Sequence, residues 1–203
     1  MYSKVMRLVY TLFDLISLQM ATLLFSLPII TAGAAFTAMH KVLLQIYREQ
    51  SPSVWEEFLS SFRSNFKQST LLWLATLALL AFFLVDMQLI ARSNFAWINY
   101  LLLVPGIYLL LGLSWLFVFQ SRYTNTLHQT VKNALAMVMM HPLYTIIHVI
   151  LMLAPCSLLT FTWKFLAVVF FIGYTLPGII RAILYSMVFD KLEGSNWRES
   201  IEQ

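Results

Sequence analysis

"FSLPIITAGAAFTAMHKVLL" runs from Phe25 to Leu44 and ends an apolar stretch that begins near Leu8. It holds a proline, a glycine and a cluster of alanines. Read as one helix, Leu8–Arg48 would extend for about 60 Å at ~1.5 Å per residue, twice the thickness of a bilayer's hydrocarbon. That is too long for one crossing and right for two. Pro28 removes a backbone donor and clashes inside a continuing helix. Thr31 and Gly33 follow, where a new helix can start. The spacing therefore predicts a helix over Leu8–Leu27, a reversal at Pro28, and a second helix over Thr31–Arg48. The second either crosses fully or is re-entrant, because its uninterrupted apolar part ends at Met39 and Lys41 must reach toward the headgroups.

The rest of the chain has the same character. Of its 203 residues, 60% are hydrophobic and 11% charged, with a mean hydropathy of +0.77. A soluble domain carries about 25% charged residues. The composition is that of an integral membrane protein forming a single domain over 1–203. Four further segments are long and apolar enough to cross: Thr70–Ala91, Ile98–Gln120, Leu143–Trp163 and Phe165–Phe189. Strands are excluded as spans, because an open sheet edge cannot face lipid. The expectation is an all-α polytopic bundle of six membrane helices.

Charge supports the reversal. Lys and Arg collect on cytoplasmic loops. Six spans with the N-terminus inside place eleven of the thirteen Lys and Arg in the cytoplasm, leaving only Arg92 and Lys164 outside. Without the reversal, five spans with the same N-terminus put nine outside, which inverts the rule. Both termini are thus expected in the cytoplasm of a bacterial inner (plasma) membrane. The opening "MYSKVMRLVYTLF" is basic and then apolar, as a signal peptide is. It lacks a small-residue cleavage site, and Asp14 and Gln19 interrupt the apolar core, so it reads as a retained first helix.

Two connectors are amphipathic. In "SPSVWEEFLSSFRSNFK", Trp55, Phe58, Leu59, Phe62 and Phe66 recur at helical spacing. In "SRYTNTLHQTVKNALAMVMMHP", Tyr123, Leu127, Val131, Ala134 and Val138 form a similar stripe. Both are expected as interfacial helices on the inner membrane surface, either as connectors packed under the bundle or as docking surfaces for a partner. Asn65, Arg122, Asn125 and Asn133 lie in them.

Gly33–Thr37 and Ala34–Ala38 are small-xxx-small pairs. With Pro28 they mark a face for close helix packing, against the first helix or a partner. Ionisable residues within spans default to functional hypotheses. Asp14, His40, His148 and Arg181 fall at similar depth, and a polar cluster with an Asp14–Arg181 ion pair is expected. Asp86 and Arg92 suggest an interfacial pair.

Signatures of catalysis are lacking. The sequence has no G-x-S-x-G, no P-loop and no H-E-x-x-H. Its four histidines do not pair with carboxylates at metal-ligand spacing. Lone Cys156 in an apolar run reads as a buried hydrophobe. No catalytic, cofactor or metal residues are expected. The basic residues line one membrane face and form no nucleic-acid patch.

"LPIITAGAAFTA", "FLSSFRSNFKQ" and "RYTNTLHQTVKNALAMVMMHP" resemble the YesL-type family of bacterial membrane proteins over nearly the whole chain. The matching positions are Pro28, Thr31, Gly33, Ala34, Thr37, Ala38, Phe62, Asn65, Arg122, Asn125, Asn133, Ala134 and Pro142. The resemblance implies a setting of carbohydrate uptake, beside ABC importers and two-component regulators, and no activity. The expectation that follows is a non-enzymatic accessory or regulatory subunit of an ABC sugar permease or a histidine kinase, in contact with the bilayer. The alternative is a small solute-binding protein, similar in format to the substrate-binding subunits of energy-coupling-factor importers. Such a carrier needs an outward cavity, with Trp97, Asn99 and Trp115 as candidate lining.

Overall fold

The computed structural model describes residues 2–48, 53–91, 98–123, 126–161 and 173–193, and every element in them is helical. The elements are α1 (Tyr2–Ser26), a 3-10 turn (Ile29–Thr31), α2 (Ala32–Tyr47), α3 (Val54–Ala91), α4 (Ile98–Arg122), α5 (Leu127–Met140), α6 (Pro142–Phe161) and α7 (Thr175–Glu193). Three stretches are long and apolar enough to cross a membrane: Val9–Ser26, Ile29–Tyr47 and Val54–Ile90. The bent pair α5–α6 makes a fourth if it counts as one span. The chain is therefore an all-helical protein with several membrane-length helices, three or four by this measure where the sequence predicted six. The start of the predicted sixth segment, at Phe165, lies outside the described residues.

The chain does break at Pro28. α1 stops at Ser26, and Pro28 is extended, with φ −74° and ψ 113°. The carbonyls that α1 leaves unpaired at its end need donors. The Thr31 hydroxyl supplies one, with Oγ1 2.6 Å from the Phe25 oxygen and 2.9 Å from that of Pro28. Trp73 on α3 pins the turn from the side, its Nε1 donating to the Ile29 oxygen at 2.7 Å.

α2 is the central helix. Ten of its sixteen residues are buried, and it touches α1, α3, α4 and α7. A helix that is apolar on all sides belongs in a core. Its neighbours run in defined directions. Gly33, Thr37 and Gln45 lie opposite Trp73, Ser69 and Glu57, so α3 is antiparallel to α2. Phe36, Leu43 and Arg48 lie opposite Tyr174, Gly178 and Asp190, so α7 is parallel to it. Asn65, Trp73 and Phe83 meet Gln120, Phe117 and Gly106, so α4 opposes α3. The directions of α2, α3 and α4 therefore alternate along the chain.

The two predicted surface helices are corrected. The first is not separate: it forms the start of α3, a continuous helix of 38 residues. At ~1.5 Å per residue that is about 57 Å, well beyond a hydrocarbon layer. Nothing between Lys67 and Thr70 breaks a helix, so the amphipathic and apolar parts fuse. Phe58 on this part is fully buried and packs with Phe25 and Phe62. The second, α5, folds back along α4. Tyr108 donates to the Leu135 oxygen at 2.9 Å, Leu135 covers Gly112, and Thr130 reaches Gln120 at 3.5 Å. Ala134 and Val138 of the stripe are buried in a cluster with Trp115 and Phe119 of α4, whereas Val131 stays exposed, and a 107° bend at His141 leads into α6.

Candidate functional site

A cluster of described polar side chains forms where α2, α4, α6 and α7 meet. On α7, Arg181, Tyr185 and Phe189 recur every fourth residue and share one face. Tyr185 is the hub. Its hydroxyl lies 2.5 Å from Nδ1 of His148 on α6. The other ring nitrogen of His148, Nε2, is 3.0 Å from the Ser114 carbonyl on α4. A carbonyl only accepts, so Nε2 carries the proton and Nδ1 receives one from Tyr185. His40 of α2 meets the Tyr185 ring edge-on at 5.7 Å. Trp115 of α4 packs at a tilt against His148 and edge-to-face against Tyr185, and its Nε1 donates to Thr145 Oγ1 at 3.0 Å. Three helices are thus bound to one tyrosine by directional contacts.

Arg181 lies one turn before Tyr185 and is 2% exposed. Its Nη2 donates to the Tyr174 oxygen at 3.2 Å, and its Nε has no protein partner. Gly178, one turn earlier, lets Leu43 of α2 approach: a Cβ there would meet Leu43 Cδ1 at 2.6 Å. The start of α7 is held by Gln19 of α1, whose Oε1 accepts from the backbone N–H groups of Tyr174 and Thr175 at 3.2 and 3.1 Å.

The structure brings His40, His148 and Arg181 together and leaves Asp14 out. Among the described residues, no ion pair joins Asp14 to Arg181. The reason is angular. Gln19 faces α7, and Asp14, five residues earlier, lies about 140° round the helix. Asp14 is half-exposed and sits beside the exposed Leu12 and Phe13. Among the described residues, a carboxylate that does pair is Asp190, at the far end of α7. It takes Arg48 at 3.2 Å and Arg122 at 4.0 Å and accepts from the Ser186 hydroxyl. Arg122 also lies over the Phe189 ring at 5.2 Å. This cluster ties the ends of α2, α4 and α7 together. Arg92, the suggested partner of Asp86, lies outside the described residues.

The small-residue face is used inside the molecule. Gly33, Ala34, Thr37 and Ala38 are all buried. A Cβ on Gly33 would fall 2.5 Å from Trp73 Cβ and 2.6 Å from the Ser69 oxygen. Thr37 donates to Gly33 O and shares a 2.9 Å bond with Ser69 Oγ. The close partner of Gly33 and Thr37 is α3, with Phe117 of α4 beside Gly33, whereas Ala35 and Ala38 pack with Leu15 and Leu18 of α1.

Of the connector residues, Trp55 is 45% exposed on α3, while Phe62 packs inward against Phe25. Asn65 accepts from Gln120 at 3.2 Å, linking α3 to α4. Asn133 is half-buried on α5, and Asn125 lies outside the described residues. So do the side chains of Trp97, Asn99 and Cys156. Trp115, proposed as cavity lining, is fully buried against the polar cluster. A groove of about 130 Å³ lies between α3 and α4, lined by Leu80, Phe83, Met87, Gly106, Leu110 and their apolar neighbours. Its lining suits hydrocarbon and offers a polar solute nothing to bond.

Sequence reasoning missed Tyr185, Thr145, Gln19 and Asp190 as site members. Tyr185 was findable as the i+4 neighbour of Arg181. Gln19 carried a signal too, as an amide inside an apolar run. Comparison with known proteins covers the first three helices of this architecture. Residues 6–87, which span most of α1, all of α2 and nearly all of α3, match the family described as a protein of unknown function, DUF624. No curated protein and no solved structure matches the chain.

Proposed function

We propose that this chain is a non-enzymatic accessory or regulatory subunit of the bacterial cell membrane. It would have six membrane helices with both termini in the cytoplasm. The DUF624 match over residues 6–87, together with the motifs further along the chain, supports assignment to the YesL-type family. On that assignment the partner is an ABC sugar permease or the histidine kinase that regulates it, and the setting is carbohydrate uptake.

One observation carries the choice of subunit over carrier: Trp115 is fully buried, bonded to Thr145 and packed on His148 and Tyr185. A carrier needs open space at that position, and here side chains fill it. The small-residue face is equally occupied, so partner contacts fall to the overhanging start of α3. There Trp55, Glu56, Arg63, Phe66 and Lys67 are exposed. An aromatic and charged surface of this kind suits a protein partner.

The alternative, a small solute-binding protein, draws on the 107° break between α5 and α6. Broken helices often frame solute sites in transporters. It requires a polar cavity reaching the outside. Affinity purification from membranes in mild detergent, followed by mass spectrometry, separates the two. Recovery of a permease or kinase, lost on Trp55→Ala/Phe66→Ala, is the expected result. Recovery of this chain alone, with specific retention of a sugar, would overturn it.

A further inference from the structure

The α1–α2 hairpin can be measured against α3, which carries its own depth scale. Lys67 and Asp86 bracket a stretch, Gln68–Val85, that has no ionisable side chain. It rises about 27 Å, close to the ~30 Å of a hydrocarbon layer. Leu71, Leu74, Phe82 and Val85 of this stretch are exposed, as side chains facing lipid are. Below it Glu56, Arg63 and Lys67 are exposed too, and a charged side chain in hydrocarbon is strongly disfavoured. The hydrocarbon therefore lies along Gln68–Val85.

The hairpin meets this scale near its lower end. Gln45 of α2 bonds to Glu57 of α3 at 3.1 Å, and Thr37 to Ser69 at 2.9 Å. Gly33 abuts Ser69 and Trp73, and the turn itself is held by Trp73, whose Nε1 donates to the Ile29 oxygen. Trp73 stands only about 8 Å above Gln68, and α3 rises about 18 Å further to Val85. In that upper part Phe83 faces Gly106 of α4. The tip of the hairpin is apolar: Leu27, Ile29 and Ile30 are exposed, and no ionisable residue lies between Asp14 and His40. Were the tip at the far headgroups, the same register would put Lys67, Arg63 and Glu56 about 9, 15 and 26 Å below it, all inside the hydrocarbon. It would also lift the exposed Phe82 and Val85 into water.

The structure assigns α1 and α2 to a re-entrant hairpin. It enters the bilayer from the side on which α3 starts and turns back within that leaflet, with Leu27, Ile29 and Ile30 among the leaflet's acyl chains. Both remain membrane helices, and both ends of the hairpin stay on one side, so the partition of Lys and Arg is unchanged. The proposal rests on the reading above only in calling that side cytoplasmic.

The test uses the full chain in a Cys156→Ala background, reconstituted in phosphatidylcholine–phosphatidylglycerol vesicles. Spin labels are attached to Leu27→Cys, Ile30→Cys, Leu74→Cys and Val85→Cys, all at exposed positions. Depth is read from collisions with oxygen against those with a water-soluble nickel chelate. The Leu74→Cys label is expected about 9 Å inside the hydrocarbon and the Val85→Cys label at its far edge. Leu27→Cys and Ile30→Cys should match Leu74→Cys. A surface reading for both tip labels would overturn the proposal, because the hairpin would then either cross or stay outside. In intact cells, an impermeant maleimide added outside should leave Leu27→Cys and Ser60→Cys unmodified. Modification of Leu27→Cys alone shows a crossing and sinks the proposal. Modification of Ser60→Cys with the tip depth unchanged upholds the hairpin and overturns the cytoplasmic assignment instead.

Discussion

The two halves of the molecule hold their helices together in different ways. In α1–α3, backbones approach because side chains are small: Gly33, Ala34, Ala35 and Ala38 let α2 settle into its neighbours. In α4–α7, contact is made by large polar and aromatic side chains, with Tyr185, His148 and Trp115 joined by hydrogen bonds and ring packing. The first mechanism depends on surfaces that fit, and any added atom is resisted. The second depends on a few directional bonds, and loss of one partner strands the others. Lipid supplies no hydrophobic drive between membrane helices, so both halves rely on close packing and internal polar bonds.

This contrast can be broken most severely at Trp115. Trp115→Ala empties a fully enclosed indole site and removes the partner of Thr145. We expect a loss of about 3–5 kcal/mol, read as the midpoint of unfolding in mixed micelles. Gly33→Ala comes next. The new Cβ meets Trp73 Cβ and the Ser69 backbone, neither of which can swing away. A loss of about 1–3 kcal/mol is expected. Gly106→Ala is its control, because its Cβ would lie 3.5 Å from the Phe83 ring, an ordinary contact, and stability should change by less than about 0.5 kcal/mol. If the two glycine variants behave alike, close approach does not organise the first half.

Tyr185→Phe sharpens the picture of the second half. It keeps the ring packing and removes the donor to His148 Nδ1. The stranded buried acceptor should cost about 1–3 kcal/mol, and a His148→Phe/Tyr185→Phe double variant should recover part of it. The smallest effect is expected at Asp14→Asn, within about 0.5 kcal/mol, since Asp14 is half-exposed and forms no ion pair with Arg181. A large loss there would restore the Asp14–Arg181 bridge that the geometry excludes.

How much of this was legible beforehand also differs between the halves. The turn at Pro28 could be read directly, because proline lacks an N–H wherever it sits. The small-residue face was visible for the same kind of local reason, although α3, rather than α1, turned out to receive Gly33 and Thr37. The start of α3 was expected as a separate helix, packed under the bundle or open to a partner, because amphipathicity does not state what covers its apolar stripe. Phe58 and Phe62 found Phe25 of α1, a partner fixed by the angle at which α1 crosses.

The sequence by itself determined that the chain is helical and apolar enough for a membrane, that it breaks at Pro28, and that His40, His148 and Arg181 lie at comparable depth. Composition, proline chemistry and the rise per residue suffice for those statements. Only the tertiary structure decided which of the intramembrane polar groups meet. Depth along a helix follows from counting residues, whereas the direction a side chain faces also depends on how the helices are rotated against one another. That rotation placed Gln19, and not Asp14, against α7, and among the described residues it left Arg181 without a carboxylate.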